Sequence, residues 1–106
     1  MTVIQKGPAP LTLINVFTVA PDRQHELVRL LEEATEKVIK YRPGFVSVNI
    51  HASLDGTNVV NYAQWESADD LKAMLADPES REHISQISAI AQSAAQLYRV
   101  ASIIER

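Results

Sequence analysis

Four side chains able to stack or to hydrogen-bond occupy alternating positions in three predicted strands. Asn61 and Trp65 are four residues apart in one strand, so they share a face, because side chains alternate along a strand. Asn15 in the first strand and His51 in the second are expected to face the same side, toward the helices. Amides, an imidazole and an indole in an apolar pocket suit a flat aromatic ligand, which stacks on the indole while its oxygens accept hydrogen bonds.

Each of these residues also has an explanation without chemistry. Core packing is common for a buried tryptophan and would explain Trp65. Burying an amide without partners costs roughly 1–3 kcal/mol, and solvation at a sheet edge is the alternative for Asn15. His51 lies near a predicted hairpin, where an ordinary exposed histidine is the simpler interpretation. A second amide on the same face, Asn61, favours a ligand site.

The composition argues against several other kinds of site. The chain has no cysteine, which excludes disulfides, thiolate nucleophiles and cysteine-ligated metals. Its three histidines are scattered, so the indication of a metal site is weak. With only three glycines, no phosphate-binding glycine loop is formed and no nucleotide cofactor is expected. Turns or helix caps account for Ser53, Ser67 and Ser80.

Length and charge restrict the class of protein further. The 106 residues carry 10 basic and 13 acidic side chains, a net charge of −3. This length fits one domain that can bury a core unaided. An acidic chain lacks the basic patch that neutralises phosphates, so nucleic acid and anionic membranes are not expected partners. No secretory signal is visible at the N-terminus, and a cytoplasmic protein is expected.

The first half of the chain predicts an arm, a strand and a helix. Residues 1–10 contain glycine and proline without periodicity and predict a flexible arm, followed by a single domain over residues 11–106. Strand-forming types fill residues 11–19. Apolar side chains then recur at helical spacing over residues 21–41, and the proline and glycine at 43–44 end that helix.

The alternation of residues 45–52 predicts a second strand. Its helix-facing set is expected to be Phe45, Ser47, Asn49 and His51, and its opposite set Val46, Val48 and Ile50. The Asp-Gly pair at 55–56 is favoured in tight hairpins and joins this strand to a third over residues 58–65.

Two short helices and a final strand complete the predicted chain. Ser67 suits the cap of one helix, and Asp77 with Pro78 suits the cap and first position of the next. Strand-forming types return over residues 97–104. The buried stripe of the last helix is expected to consist of Ile84, Ile87, Ala91 and Ala94.

The order β-α-β-β-α-β, with the second helical region split, is the ferredoxin-like arrangement of an α+β fold. Helices then cover one face of an antiparallel sheet and leave the other face uncovered. The apolar residues expected on that uncovered face are Ile14, Val16, Val46, Val48 and Ile50. A second copy of the same sheet is the simplest cover for such a face, so we expect a homodimer.

One segment closely resembles the antibiotic biosynthesis monooxygenase family, namely residues 51–67, His-Ala-Ser-Leu-Asp-Gly-Thr-Asn-Val-Val-Asn-Tyr-Ala-Gln-Trp-Glu-Ser. The Pro-Gly-Phe before the second strand and the Asp-Pro before the last helix also fit. The resemblance extends over about residues 11–104. It implies a dimeric α+β barrel with a pocket between each sheet and its helices. In the polyketide branch of the family, that pocket oxidises an anthrone to a quinone with O₂, without metal or flavin.

The resemblance also implies roles for single residues. Asn61 and Trp65 match residues implicated in the polyketide branch, His51 matches a pocket histidine, and Asn15 matches a strand-one asparagine. An anthrone carbanion reduces O₂ directly, so the protein has only to promote deprotonation. Both asparagines would then donate hydrogen bonds to the developing oxyanion, Trp65 would hold the rings, and His51 would be the base. The substrate-binding residues are expected to be Phe17, Asn49, Leu71, Met74 and His83.

Two other functions fit the same fold. Haem-degrading members of the family use a strand asparagine, a helix tryptophan and a histidine in the last helix. Asn15 and His83 match two of these residues, but the tryptophan position corresponds approximately to Ala73. A module that binds aromatic ligands or serves in stress response without catalysis needs only the pocket. The polyketide branch has a tyrosine where Leu71 stands and an arginine near Ile84, so the natural substrate stays open.

Overall fold

The computed structural model describes all 106 residues and confirms the α+β ferredoxin-like fold. The strands are β1 (Gly7–Val19), β2 (Phe45–Ala52), β3 (Asn58–Trp65) and β4 (Ala91–Val100). They form one antiparallel sheet in the order β2-β3-β1-β4. The helices are α1 (Gln24–Lys37), α2 (Ala68–Ala76) and α3 (Pro78–Ser88). None of them is both long and apolar enough to cross a membrane.

The predicted first helix is confirmed apart from its ends. A short 3₁₀ turn, Pro21–Arg23, precedes α1, and a second one, Ile39–Tyr41, follows it. The chain then turns at Gly44, whose φ of +82° is a conformation that side chains with a Cβ disfavour. A Cβ at this position would also collide with the side chain of Asp70 at the start of α2. Glycine is therefore required where the chain enters β2.

Two apolar clusters fill the space between the helices and the sheet. The larger joins α1 and α3 to the middle of the sheet and contains Phe17, Val19, Leu27, Leu31, Ala34, Val59 and Ile87. The smaller joins α2 to the end of β3 and contains Ala63, Trp65, Leu71 and Met74. Both clusters use the sheet face that carries Phe17, Val59, Ala63 and Trp65. This is the helix-facing side of the sheet.

A β-bulge reverses the predicted faces of β2. Phe45 pairs with Trp65, but the next pair is Ser47 with Gln64, so one extra residue lies on β2 between them. Such a bulge exchanges the two faces of every residue that follows it. Val48 and Ile50 consequently oppose the helix-facing residues Ala63 and Asn61. The predicted helix-facing placement of Ser47, Asn49 and His51 is therefore wrong.

The chain enters its last strand earlier than predicted. Helix α3 ends at Ser88, and β4 begins at Ala91 and ends at Val100, in place of residues 97–104. Ala91 and Ala94 were expected on the helix but pair with Val19 and Val16 of β1. Alanine favours helix when nothing else decides, and here pairing along β1 overrides that preference. Similarly, β1 begins at Gly7 within the predicted arm.

The sheet face away from the helices, called the open face, carries Thr12, Ile14, Val16, Ser47, Asn49, His51, Val60, Tyr62 and Gln64. The N-terminal residues cross part of it. Asn49 Nδ2 donates to Thr2 Oγ1 at 2.6 Å, and Gln64 Nε2 donates to the Val3 carbonyl at 2.8 Å. The open face is therefore more polar than predicted, although Val16 remains 37% exposed.

Candidate functional site

Two amides meet on the helix-facing side of the sheet. Asn15 of β1 and Asn61 of β3 are direct partners in the strand register. Both side chains are half-buried, and the Oδ1 atom of each is buried without a hydrogen-bond partner. An unsatisfied buried polar group costs roughly 1–3 kcal/mol. Two such groups side by side point to a ligand site, because a ligand can supply the missing partners.

An apolar cavity of about 310 Å³ opens beside Asn15, between α2 and strands β1 and β4. Its apolar lining consists of Leu13, Ala68, Leu71, Leu75, Ala95 and Leu97, and its polar lining of Asn15, Lys72 and Gln96. A few polar groups among apolar walls are typical of small-molecule sites, and this volume is near the lower end of their range of roughly 300–1,000 Å³. Asn61 is one strand further from the cavity, next to Asn15.

A larger depression of about 580 Å³ lies elsewhere, next to the N-terminal residues. Its lining includes Met1, Val3, Val46, Gln64 and Glu66, and none of the predicted site residues. The smaller cavity is the better candidate because it contains a half-buried amide whose oxygen has no partner.

Trp65 is fully packed in the core. It is 1% exposed, and its ring meets the ring of Phe45 edge to face, with centroids 5.6 Å apart and an interplanar angle of 88°. It belongs to the same cluster as Leu71, which lines the cavity, and Met74, which is a buried residue of α2. The indole therefore supports the wall formed by Leu71, and the cavity surface does not include it. Phe17 is likewise a core residue, 5% exposed.

The three remaining predicted site residues lie away from the amides. His51 is exposed on the open face, and Asn49 is bonded to Thr2 there. His83 is half-buried on α3 near Glu33 of α1. The pKa of Glu33 is lowered chiefly by its hydrogen bond from Lys37, with a smaller electrostatic contribution from His83.

The cavity lining contains one charged residue that the sequence pattern does not single out, Lys72. A charged residue on a short helix is usually solvated, so Lys72 carried no signal by itself. Gln96 also borders the cavity, but it pairs with Ile14 in the register, so its side chain points to the open face. In addition, no group of three or more histidine, aspartate or glutamate side chains is arranged to hold a metal ion.

Comparisons with known proteins extend over most of the chain. The sequence profile for antibiotic biosynthesis monooxygenases matches residues 10–86. Tetracenomycin-F1 monooxygenase of Streptomyces glaucescens is 46% identical over 92 residues, which cover 87% of this chain and 82% of that protein.

Two solved structures are similar as well. A monooxygenase from the gene ActVA-Orf6 of Streptomyces coelicolor, in complex with the ligand nanaomycin D, matches with a TM-score of 0.75 and 35% identity, over 91% of this chain and 93% of that one. SnoaB of Streptomyces nogalater, a cofactor-independent oxygenase, matches with a TM-score of 0.71 and 25% identity, over 91% and 97%.

These relatives confirm the expected class of enzyme, a monooxygenase, and SnoaB supports the expectation that no cofactor is needed. The resemblance inferred from residues 51–67 is confirmed by the match over residues 10–86. The chain belongs to the antibiotic biosynthesis monooxygenase family.

Proposed function

We propose that this enzyme oxidises an anthrone-like or hydroquinone-like aromatic substrate to a quinone with O₂ alone. The observation that carries the proposal is the pair of buried, unpartnered amide oxygens of Asn15 and Asn61 beside an apolar cavity. Apolar walls suit the rings of such a substrate, and the amides suit its oxygens. The names of the tetracenomycin-F1 and ActVA-Orf6 monooxygenases agree with an aromatic polyketide as the substrate class.

For an anthrone-like substrate, the proposed reaction converts a ring CH₂ to C=O. Loss of a proton from the CH₂ gives a carbanion whose charge spreads onto the ring oxygen. This anion transfers one electron to O₂, and the resulting radical pair forms a C–O bond. The peroxide then loses water, so that one oxygen atom of O₂ enters the product and the other leaves as water.

In this scheme the amides act on the developing oxyanion. Rotation of an asparagine amide by half a turn exchanges its Oδ1 and Nδ2 atoms, so each side chain can either accept from a substrate hydroxyl or donate to an oxyanion. Losing a single donor of this kind costs roughly 3–4 kcal/mol of transition-state stabilisation. The cavity lining holds no imidazole or carboxylate, so we assign the proton to water at the mouth of the cavity. His51 is not needed in this scheme.

The same proposal includes a homodimer formed through the open face. Val16 is 37% exposed and Tyr98 is 45% exposed, and they lie on neighbouring strands of that face. Apolar and aromatic groups of this kind are enriched at interfaces between subunits. Sedimentation equilibrium is expected to give twice the 11.8 kDa chain mass, whereas a monomer at micromolar concentration would contradict the proposal.

Oxygen uptake with an anthrone tests the function. Metal-free and flavin-free protein is expected to consume O₂ above the no-enzyme rate and to yield the quinone. Asn15→Ala and Asn61→Ala are each expected to lower turnover by about a hundredfold or more. Gln86→Ala removes an exposed amide of α3 and is the matched control, with turnover unchanged. Tight binding of the ring system without oxygen uptake would instead support the non-catalytic binding module.

No observation favours the haem-degrading alternative. That function requires the strand asparagine and the histidine of the last helix at one site. Asn15 lines the cavity, whereas His83 is absent from its lining and lies near Glu33. A haem titration of the protein is accordingly expected to leave the haem absorption spectrum unchanged.

A further inference from the structure

We propose that Lys72 binds an anionic oxygen of the aromatic substrate, so that the enzyme selects an aromatic acid over a neutral ring system of the same shape. The proposal rests on the proposed function, because it assigns a substrate class to the same cavity. Its test is independent of turnover and therefore separates the two.

Lys72 is the only charged residue in the cavity lining. Of the nine lining residues, six are hydrophobic and Asn15 is a neutral amide, whereas Gln96 pairs with Ile14 and directs its side chain to the open face. Lys72 is exposed at the edge of the cavity, so its attraction for an anion is modest and is screened by salt. The lining thus offers one site for negative charge on an otherwise neutral surface.

The position of Lys72 on its helix strengthens this reading. The α2 residues that line the cavity are Ala68, Leu71, Lys72 and Leu75. Their spacing of i, i+3, i+4 and i+7 places them on one stripe of the helix. The other three members of the stripe are apolar, so Lys72 is the one charged group on the side of α2 that borders the cavity. Lysine also has a long flexible stem that lies along apolar surface while its ammonium group reaches a polar partner.

The ammonium group of Lys72 has no carboxylate partner within the chain. Lys37 and Lys40 form ion pairs one turn back along their helical segment, with Glu33 and Glu36 at 3.0 and 2.7 Å. The other ion pairs involve Arg23 and Arg42. On α2 itself, the Asp70 carboxylate accepts a hydrogen bond from Ser67 Oγ, and the Asp70 backbone N–H donates to that same Ser67 Oγ. The charge of Lys72 is therefore free to pair with a ligand.

The inferred ligand is a planar ring system with an anionic oxygen at its end. The rings lie along the apolar walls, one ring oxygen meets the Asn15 amide, and the anionic oxygen meets Lys72. A carboxylate and an ionised phenol present the same chemistry to the ammonium group. Binding measurements with matched compounds distinguish these two sources.

Intrinsic fluorescence provides the readout, because Trp65 is the only tryptophan of the chain and belongs to the cluster of the cavity-lining Leu71. The probes are anthraquinone-2-carboxylate, the corresponding neutral carboxamide, and 2-hydroxyanthraquinone at a pH that ionises it. Lys72→Gln is expected to weaken binding of an anionic probe about fivefold, which is near the upper limit for an exposed charge pair. Binding of the carboxamide is expected to stay within twofold of wild type.

Two further variants test whether the preference depends on positive charge and on the position of that charge beside the cavity. Lys72→Arg keeps the positive charge and is expected to retain the preference for the anionic probe. Lys37→Gln removes an equal charge from α1, away from the cavity, and is expected to leave all affinities unchanged. The preference is also expected to shrink as salt is added, since salt screens an exposed charge.

The outcomes divide clearly. A loss confined to the carboxylate, or confined to the ionised phenol, supports the proposal and identifies the source of the anionic oxygen. Equal losses for the acid and the carboxamide, no loss at all, or no binding of any probe to wild type overturns it. Anthrone oxidation by wild type in any of those cases leaves the proposed function standing. A charge preference without anthrone oxidation supports the role of Lys72 and contradicts the proposed function.

Discussion

Asn61 lies directly opposite Asn15 in the register between β3 and β1, and the Oδ1 atoms of both amides are buried without a partner. A sheet that served only as scaffold would gain stability from apolar residues at these positions. The pair is therefore a place where this chain sacrifices stability, and such places are expected at functional sites.

Replacing either amide by leucine is expected to stabilise the protein while it abolishes turnover. Leucine has the same branching as asparagine and removes the unsatisfied oxygen, so Asn15→Leu and Asn61→Leu are each expected to raise the free energy of unfolding by about 1 kcal/mol. Chemical denaturation measures this change. Asn58→Leu is the matched control, because its Nδ2 donates to the Phe17 carbonyl at 3.2 Å. That variant is expected to lose about 1 kcal/mol, and destabilisation of all three alike would show that the paired amides are structural.

The reversed faces of β2 give a second prediction. Ile50 faces the helices and packs against the larger apolar cluster, whereas its neighbour His51 is exposed on the open face. Ile50→Ala is expected to lower the free energy of unfolding by about 1–2 kcal/mol, less than a fully buried site would lose. His51→Ala is expected to change stability by less than about 0.5 kcal/mol and to leave anthrone turnover unchanged. A large loss of turnover in His51→Ala would contradict this expectation and would support His51 as the base.

Gly44 gives a third prediction. Gly44→Ala combines the unfavourable positive φ with a collision against the Asp70 side chain, and is expected to cost more than about 2 kcal/mol of unfolding free energy. Gly56→Ala is the control, because its φ is also positive but a Cβ there meets only Pro21 at an ordinary 3.6 Å. It is expected to lose about 1 kcal/mol. Both variants are measured by thermal and chemical denaturation. Equal losses of stability in Gly44→Ala and Gly56→Ala would contradict the close approach at Gly44.

The acid stability of the protein is expected to depend on Asp77. The pKa of this carboxyl is lowered from its ordinary 3.8, chiefly by the hydrogen bond from the Ser80 backbone N–H, with further contributions from the Ser80 hydroxyl and the charge of Arg42. Because the folded-state pKa is the lower one, its stabilising contribution is present above pH 3.8 and is lost as the pH falls through the folded-state value. Asp77→Asn is expected to flatten the fall in stability in that acidic window.

Glu32→Gln serves as the control for this pH dependence, since Glu32 is an exposed residue of α1. It is expected to leave the acid profile of the melting temperature unchanged. An Asp77→Asn profile parallel to that of wild type would show that Asp77 does not contribute to the pH dependence.

The elements that local chemistry determines were predictable from the sequence. Ser67 and Asp77 were expected as helix caps, and the Ser67 side chain accepts from the Asp70 N–H while Asp77 accepts from the Ser80 N–H. The amide pair was also predictable, because Asn15 and Asn61 interrupt strand patterns on the same face.

The parts that depend on pairing between distant segments were not predictable. The bulge between Phe45 and Ser47 leaves no mark on the alternation, yet it moves Asn49 and His51 to the open face. The alanine-rich start of β4 favours helix locally, and only its pairing with β1 makes it a strand. The position of Lys72 beside a cavity could not be predicted either, because the cavity is formed by α2 together with residues of distant strands.

Amide-assisted oxidation can be measured directly in a single-turnover reaction of metal-free, flavin-free protein with an anthrone under isotope-labelled O₂. The expected product is a quinone that carries one labelled oxygen atom and forms faster than without enzyme. Asn61→Leu is expected to lose that acceleration although the variant is at least as stable as wild type. Equal acceleration by wild type and by a folded Asn61→Leu, or no acceleration by either, would contradict amide-assisted oxidation.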